Sequence, residues 1–319
     1  MEFVTLAMLR EAQERLRGIA YHTPLIRSQA DEGLYFKPET LQPIGSFKIR
    51  GAFNKIASLT PEERARGVIA YSSGNHAQGV AYAARALGIR AVVVMPTTAP
   101  QIKIESTRGY GAQVVLYDPL RERREEVAGR LQAEHGYALV PPFNDLQVIA
   151  GQGTIGLEIF ADLPEVDLVL TPVGGGGLLS GTAAALKLLN PSVRAVGVEP
   201  EAAADAQASL KEGRIVTIAP QQAGRTLADG VRTLSVEPIT FAHLQRFADA
   251  IVTVSETELV SAARRLILTH KLTVEPTAAL PLAAYLYHRD ALPPARNVVI
   301  VLSGGSVDPA QLARLIQSE

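Results

Sequence analysis

Seven short runs of β-branched and aliphatic residues recur along the chain, each followed by a turn and then a helical pattern: GVIAYSSGN, AVVVMPTTAP, QVVLYDP, VDLVLTPVGGGG, RAVGVEP, DAIVTVS and NVVIVLSGG. Runs that are apolar on both faces need cover on both sides, which predicts parallel strands sandwiched between helices. HAQGVAYAARALG and LLSGTAAALKLLN supply such helices, ending at the turn residues Gly88 and Asn190. The expected class is α/β.

With 319 residues the chain is long enough for two domains. The charged stretch TPEERARG, residues 60 to 67, and the proline pair in VPPFND, residues 140 to 145, are the candidate boundaries. They predict a small α/β domain over 67–144 and a large domain made of 1–66 plus 145–319. A cleft between two such units is the natural ligand site.

Lys and Arg total 31 against 32 Asp and Glu, so there is no basic field to attract nucleic acid or anionic lipid. A small neutral or zwitterionic ligand is the expectation. The absence of cysteine excludes disulfides, thiolate catalysis and cysteine-ligated metal, which leaves Ser, Thr, Lys or a carboxylate as covalent nucleophile. MEFVTLAMLREAQERLRG reads as an amphipathic helix rather than a signal peptide, and no apolar run has the length of a membrane span. A cytoplasmic protein without a membrane partner is expected.

Two glycine-rich stretches compete for attention. GQGTIG, residues 151 to 156, matches the dinucleotide spacing but lacks the strand before it and the acidic residue after the next strand, so close helix packing is the preferred reading. VGGGGLLSG, residues 173 to 181, follows a clear strand and opens a clear helix. Four glycines let backbone amides converge on an anion, and the helix dipole adds to them. No Lys-Ser/Thr pair follows as in a nucleotide loop, which favours a single phosphate; a flexible turn is the alternative.

Polar groups stand at three other element ends. YSSGNHAQG sets Ser72, Ser73, Gly74, Asn75 and His76 at a strand-to-helix junction, either as helix caps or as donors to a carboxylate. Ser303 ends the last strong strand before two glycines. In GSFKIRGA, Ser46 is read as an N-cap with Lys48 in the first helical turn, where a cation opposes the dipole. Such a local conflict points to function.

In family order, GSFKIRGA, SSGNHAQG, GQGTIGLE, VGGGGLLSG, GVEP, EPTAA and SGGSVD make the chain resemble the fold-type II pyridoxal-phosphate enzymes of the serine/threonine dehydratase and serine racemase group. The resemblance covers nearly the whole chain. It implies two open, twisted, mostly parallel sheets flanked by helices, the tryptophan synthase beta-like arrangement, with pyridoxal 5'-phosphate in the interdomain cleft.

By the same resemblance Lys48 binds the cofactor covalently and Phe47 covers one face of its ring. Gly174, Gly175, Gly176, Gly177 and Leu178 hold its phosphate, Asn75 its ring hydroxyl and Ser303 its ring nitrogen, with the Gly230 carbonyl nearby. Ser72, Ser73, Gly74, Asn75 and His76 receive the substrate carboxylate. The implied reaction is that of a threonine or serine dehydratase (threonine deaminase), with Lys48 as the base, in a homodimer or homotetramer associated with isoleucine biosynthesis. Because the chain stops soon after SGGSVD, feedback by isoleucine through a C-terminal domain is not expected.

Ser73 keeps a second activity open. Bacterial threonine dehydratases usually carry alanine there, whereas serine racemases carry a serine that acts opposite the lysine, and racemisation needs a proton donor on each face. Glu199, Asp205 and the carbonyl of Ala203 in EPEAAAD match a family site for Mg, Ca or Mn; a solvated acidic loop is the alternative. Ile44 and Ser306 depart from the family's usual Thr and Asn beside the lysine motif and in the last motif. A non-catalytic binding protein on the same fold is disfavoured by the intact Lys48, glycine loop and Asn75.

Overall fold

The computed structural model describes residues 2–99 and 101–317. Met1, Pro100, Ser318 and Glu319, which the expected domain ranges include, lie outside the described residues. Six strands form one sheet in the order β1 (Ile26–Arg27), β2 (Leu34–Pro38), β10 (Val298–Leu302), β7 (Leu168–Pro172), β8 (Arg194–Pro200) and β9 (Ala250–Val254). Four form the other, in the order β5 (Gln113–Tyr117), β4 (Ala91–Pro96), β3 (Val68–Tyr71) and β6 (Ala138–Leu139). All pairings are parallel except β1 with β2. The α/β architecture of two mostly parallel sheets flanked by helices is the one expected.

Each of the seven apolar runs contains a strand. β10 shows why: all five of its residues are buried, Val298, Ile300 and Leu302 in one core cluster and Val299 and Val301 in another. The two faces of one strand thus fill two cores, each buried aliphatic side chain contributing roughly 1.5–3 kcal/mol. β2 escaped the sequence reading because LYFKP carries Lys37 and Pro38. Lys37 is nevertheless fully buried, its charge met by Glu158 at 2.6 Å. β1 and β6, at two residues each, are too short to show a period.

GQGTIG lies inside helix Leu146–Asp162. A Cβ at Gly151 would meet the Arg50 carbonyl at 2.5 Å, and one at Gly153 the Gly181 carbonyl at 2.8 Å. These glycines seat helices Lys48–Ala57 and Gly177–Leu189 against the central helix, as the packing reading expected.

The capping readings are corrected. Ser46 is not the N-cap of helix Lys48–Ala57: Phe47 holds that position, without a side-chain cap. Ser46 instead bridges to Gly304, and the Phe47 N–H donates to the Ser303 carbonyl at 3.0 Å. Backbone ties to the end of β10 therefore set the chain's entry into the helix. Gly74, not a serine or Asn75, is the N-cap of helix Asn75–Ala86, also without a side-chain cap.

Candidate active site

The carboxyl ends of β3, β7 and β10 open onto one cavity of about 620 Å³, the place where parallel α/β sheets take ligands. Phe47, Lys48, Ser72, Ser73, Gly74, Asn75, His76, Gly174, Gly175, Gly176, Gly177, Leu178, Gly230 and Ser303 all line it. Residues drawn from both sheets meet there, and so do Pro142 and Phe143 from the proline turn.

Lys48 is the first residue of its helix, held with its amine in the cavity wall. Its Nζ donates to the Pro142 carbonyl at 2.8 Å and lies 5.2 Å from the centre of the Phe47 ring. Burial lowers its pKa to about 8, partly opposed by the charge of Glu275. A neutral amine is thereby accessible near physiological pH, as nucleophilic attack on a carbonyl requires. Two residues on, buried Arg50 pairs with Glu39 at 2.7 Å and Glu158 at 2.6 Å, which anchors the helix that carries Lys48.

The glycine loop is crowded rather than slack. A Cβ at Gly177 would lie 2.8 Å from that of Phe143, one at Gly174 would lie 3.0 Å from the Val231 Cα, and one at Gly175 would overlap the Phe143 ring. Gly176 adopts φ +87°, a left-handed conformation that turns β7 into helix Gly177–Leu189. The free amides of that helix's first turn and its dipole face the cavity, which suits a phosphate.

Ser303 is 2% exposed, and its hydroxyl has no hydrogen-bond partner. A buried, unmatched donor on a cavity wall calls for a ligand atom. Asn75 donates from Nδ2 to both carboxylate oxygens of Glu275, at 3.1 and 3.0 Å. The Ser72 hydroxyl accepts from the Gly74 N–H at 3.3 Å. His76 is buried, with Nε2 donating to the Val140 carbonyl at 2.8 Å. Burial, then the charge of Lys48, depresses its pKa to about 3, so the imidazole is neutral. The Gly230 N–H donates to the Thr277 hydroxyl at 3.0 Å.

Among the lining residues that motif reading missed are Glu275, Phe143 and Pro142. EPTAA carried the signal for Glu275, an acid directly before a proline at a helix start. Nothing in VPPFND distinguishes a cavity wall from a linker.

Glu199, Ala203 and Asp205 lie apart from the cavity lining. The Glu199 carboxylate accepts the N–H groups of Ala206 at 3.0 Å and Gln207 at 2.8 Å, while both oxygens of buried Asp205 lack partners. Burial raises Asp205 to about 7; burial and the nearby Asp205 charge push Glu199 well above the usual carboxylate range. Among the described residues no group of three or more His, Cys, Asp or Glu could hold a metal ion. None of the described helices is long and apolar enough to cross a membrane.

A family model described as pyridoxal-phosphate dependent enzyme matches residues 16–304. L-threonine ammonia-lyase of Thermotoga maritima is 45% identical over 318 residues, covering 98% of this chain and 78% of its own. L-threo-3-hydroxyaspartate ammonia-lyase of Saccharomyces cerevisiae is 42% identical, covering 97% of this chain and 95% of its own. The structure of maize serine racemase superposes with a TM-score of 0.93 at 37% identity, covering 98% of this chain and 97% of that one.

Proposed function

The chain belongs to the pyridoxal-phosphate-dependent enzyme family, and on that premise we propose that it is an ammonia-lyase converting L-threonine to 2-oxobutanoate and ammonia, and L-serine to pyruvate and ammonia. The observation that carries this reading is the meeting, in one cavity, of a half-buried lysine of lowered pKa, a glycine-lined helix start and an unpartnered serine hydroxyl. These features fit pyridoxal phosphate: an amine for its aldehyde, an anion cradle for its phosphate and an uncharged donor for its ring nitrogen.

When bound, the cofactor supplies an electron sink for negative charge developing at the substrate α-carbon. Gly174 to Leu178 would hold its phosphate, Asn75 would bond its ring hydroxyl, and Phe47 would lie against its ring. The Ser72 to His76 segment receives the substrate carboxylate on hydroxyls and backbone amides, with His76 contributing no charge. Lys48 Nζ takes the α-proton as general base. Ser303 cannot keep a ring nitrogen protonated as a carboxylate would, which suits loss of a β-hydroxyl over a long-lived carbanion. Departure of that hydroxyl as water and hydrolysis of the resulting enamine balance the overall conversion to keto acid and ammonia.

A second reading, serine racemase with side lyase activity, is supported by Ser73, a hydroxyl-bearing residue lining the same cavity as Lys48. One assay separates the readings: purified protein with L-threonine, L-serine, D-serine and L-threo-3-hydroxyaspartate, following keto acid and enantiomer. Keto acid without enantiomer supports the lyase, interconversion of serine enantiomers supports the racemase, and neither product overturns both. Ser73→Ala abolishes racemisation if Ser73 is the second acid/base.

Two further parts belong to this reading. The buried carboxylates of Glu199 and Asp205, with the Ala203 carbonyl, would supply hard oxygen donors of the kind that suit Mg, Ca or Mn. The assembly is a homodimer or homotetramer, which sedimentation measures directly.

A further inference from the structure

Among the described residues, Glu275 is the one buried acid lining the cavity, and the reaction above has no task for it. It is 5% exposed and stands immediately before helix Pro276–Tyr287. Its N–H donates to the Gly304 carbonyl at 3.1 Å, which ties it to the strand end that carries Ser303. Both carboxylate oxygens receive the amide nitrogen of Asn75. Burial raises the Glu275 pKa to about 7, and above that pH the ionised carboxylate only accepts, so this contact selects the amide orientation with nitrogen towards Glu275.

The packing around the pair has the same requirement. A Cβ on Gly304 would meet Glu275 Oε1 at 2.8 Å and Asn75 Nδ2 at 3.1 Å, so the clamp closes only over a glycine. Three charged side chains face Glu275: Lys48 from its own helix, Lys103 from helix Gln101–Gly109, and Asp229 from the turn Asp229–Val231. Lys103 and Asp229 are themselves paired at 2.9 Å. Lys103 is thereby partly neutralised, whereas Lys48, whose Nζ donates to the Pro142 carbonyl at 2.8 Å, feels the charge of Glu275 across the cavity.

We propose that Glu275 is a positioning residue of the site: its carboxylate holds the Asn75 amide in one orientation for the cofactor, and its negative charge acts on Lys48 across the cavity. The inference rests on the reading of the site as a pyridoxal-phosphate pocket. Clamp and charge are separable, because glutamine keeps an acceptor for Asn75 and loses the charge, whereas aspartate keeps the charge and falls short of Asn75.

The test follows uptake of pyridoxal phosphate by the apo-protein, read by absorbance from about pH 6 to about pH 9.5, so no turnover is needed. In Glu275→Gln the midpoint of uptake moves to lower pH by about one unit, since Lys48 loses a charge that favours its protonated form. In Glu275→Asp the midpoint stays and affinity falls about tenfold, the scale of one charge-assisted hydrogen bond. If one variant does not fold, the other decides. Wild-type midpoint and affinity in the variants that fold overturn the inference alone, whereas a wild-type protein that takes up no pyridoxal phosphate overturns the reading on which it rests.

Discussion

Lys48 Nζ and the carbonyl of Pro142 are joined by a 2.8 Å hydrogen bond between residues 94 positions apart in the chain. The contact holds the amine against the turn that carries Phe143, whose ring in turn closes over Gly175 and whose Cβ and backbone press on Gly177. Lysine, proline turn and glycine loop thus form one continuous wall.

Lys48→Ala removes the nucleophile from that wall. Borohydride reduction of the wild-type protein with pyridoxal phosphate adds one cofactor mass at Lys48, and the variant stays unmodified with activity down by a factor of about 10³ or more. A modified variant, or modification at another lysine, contradicts the assignment. In the wild-type protein covalent attachment accelerates as pH rises through about 8, because the amine is neutral only above its lowered pKa. A rate independent of pH there counts against it.

Ser303→Ala separates ligand binding from folding. The hydroxyl is buried without a partner, so its removal leaves the melting temperature of the apo-protein unchanged or slightly raised. Affinity for pyridoxal phosphate falls, by about three- to tenfold for one neutral hydrogen bond. A destabilised apo-protein with intact cofactor affinity would show the serine to be structural.

Gly153→Ala tests the packing reading of GQGTIG. The new methyl presses on Leu9 and on the Gly181 carbonyl, at a cost of about 1–3 kcal/mol for an overpacked core. Denaturant unfolding reads the loss, and cofactor affinity in the folded variant stays near wild type because Gly153 does not line the cavity. Lost affinity with unchanged stability points instead to a ligand loop.

The proposed cation site predicts that magnesium raises the melting temperature, and more so at higher pH. Asp205 and Glu199 hold protons in the folded state up to higher pH than in the unfolded chain. Between the usual carboxylate pKa and the raised folded values the native state binds more protons, so stability without metal falls as pH rises through that window. A divalent cation replaces those protons and offsets the loss. Melting curves at about pH 5.5 and about pH 8, with magnesium and with chelator, decide it; equal curves at both pH values remove the cation site.

The strands and the residues of the site differed in how far the sequence revealed them. NVVIVLSGG and VDLVLTPVGGGG declared their strands because a run buried on both faces needs no alternation, and the same physics left Lys37 in β2 unread, its burial depending on a distant Glu158. Lys48, Asn75, the glycine loop and Ser303 were legible because each stands at a strand end or helix start, where local chemistry departs from what the element alone requires. Ser46 was misread for the converse reason: its neighbours look like a helix start, but pairing with Gly304 decides its place.

Local pattern thus determined the α/β class, the strands that carry the cavity and several of the residues that line it, since hydrophobic period and turn chemistry act over a few residues. Only the tertiary structure decided that VPPFND is a wall of the site, that the GQGTIG glycines seat helices, and that Glu275 clamps Asn75 from 200 positions away. Those outcomes depend on contacts between segments remote in the chain, and on burial, which sets the protonation of Lys48, Glu275 and Asp205 and is a property of the packed molecule alone.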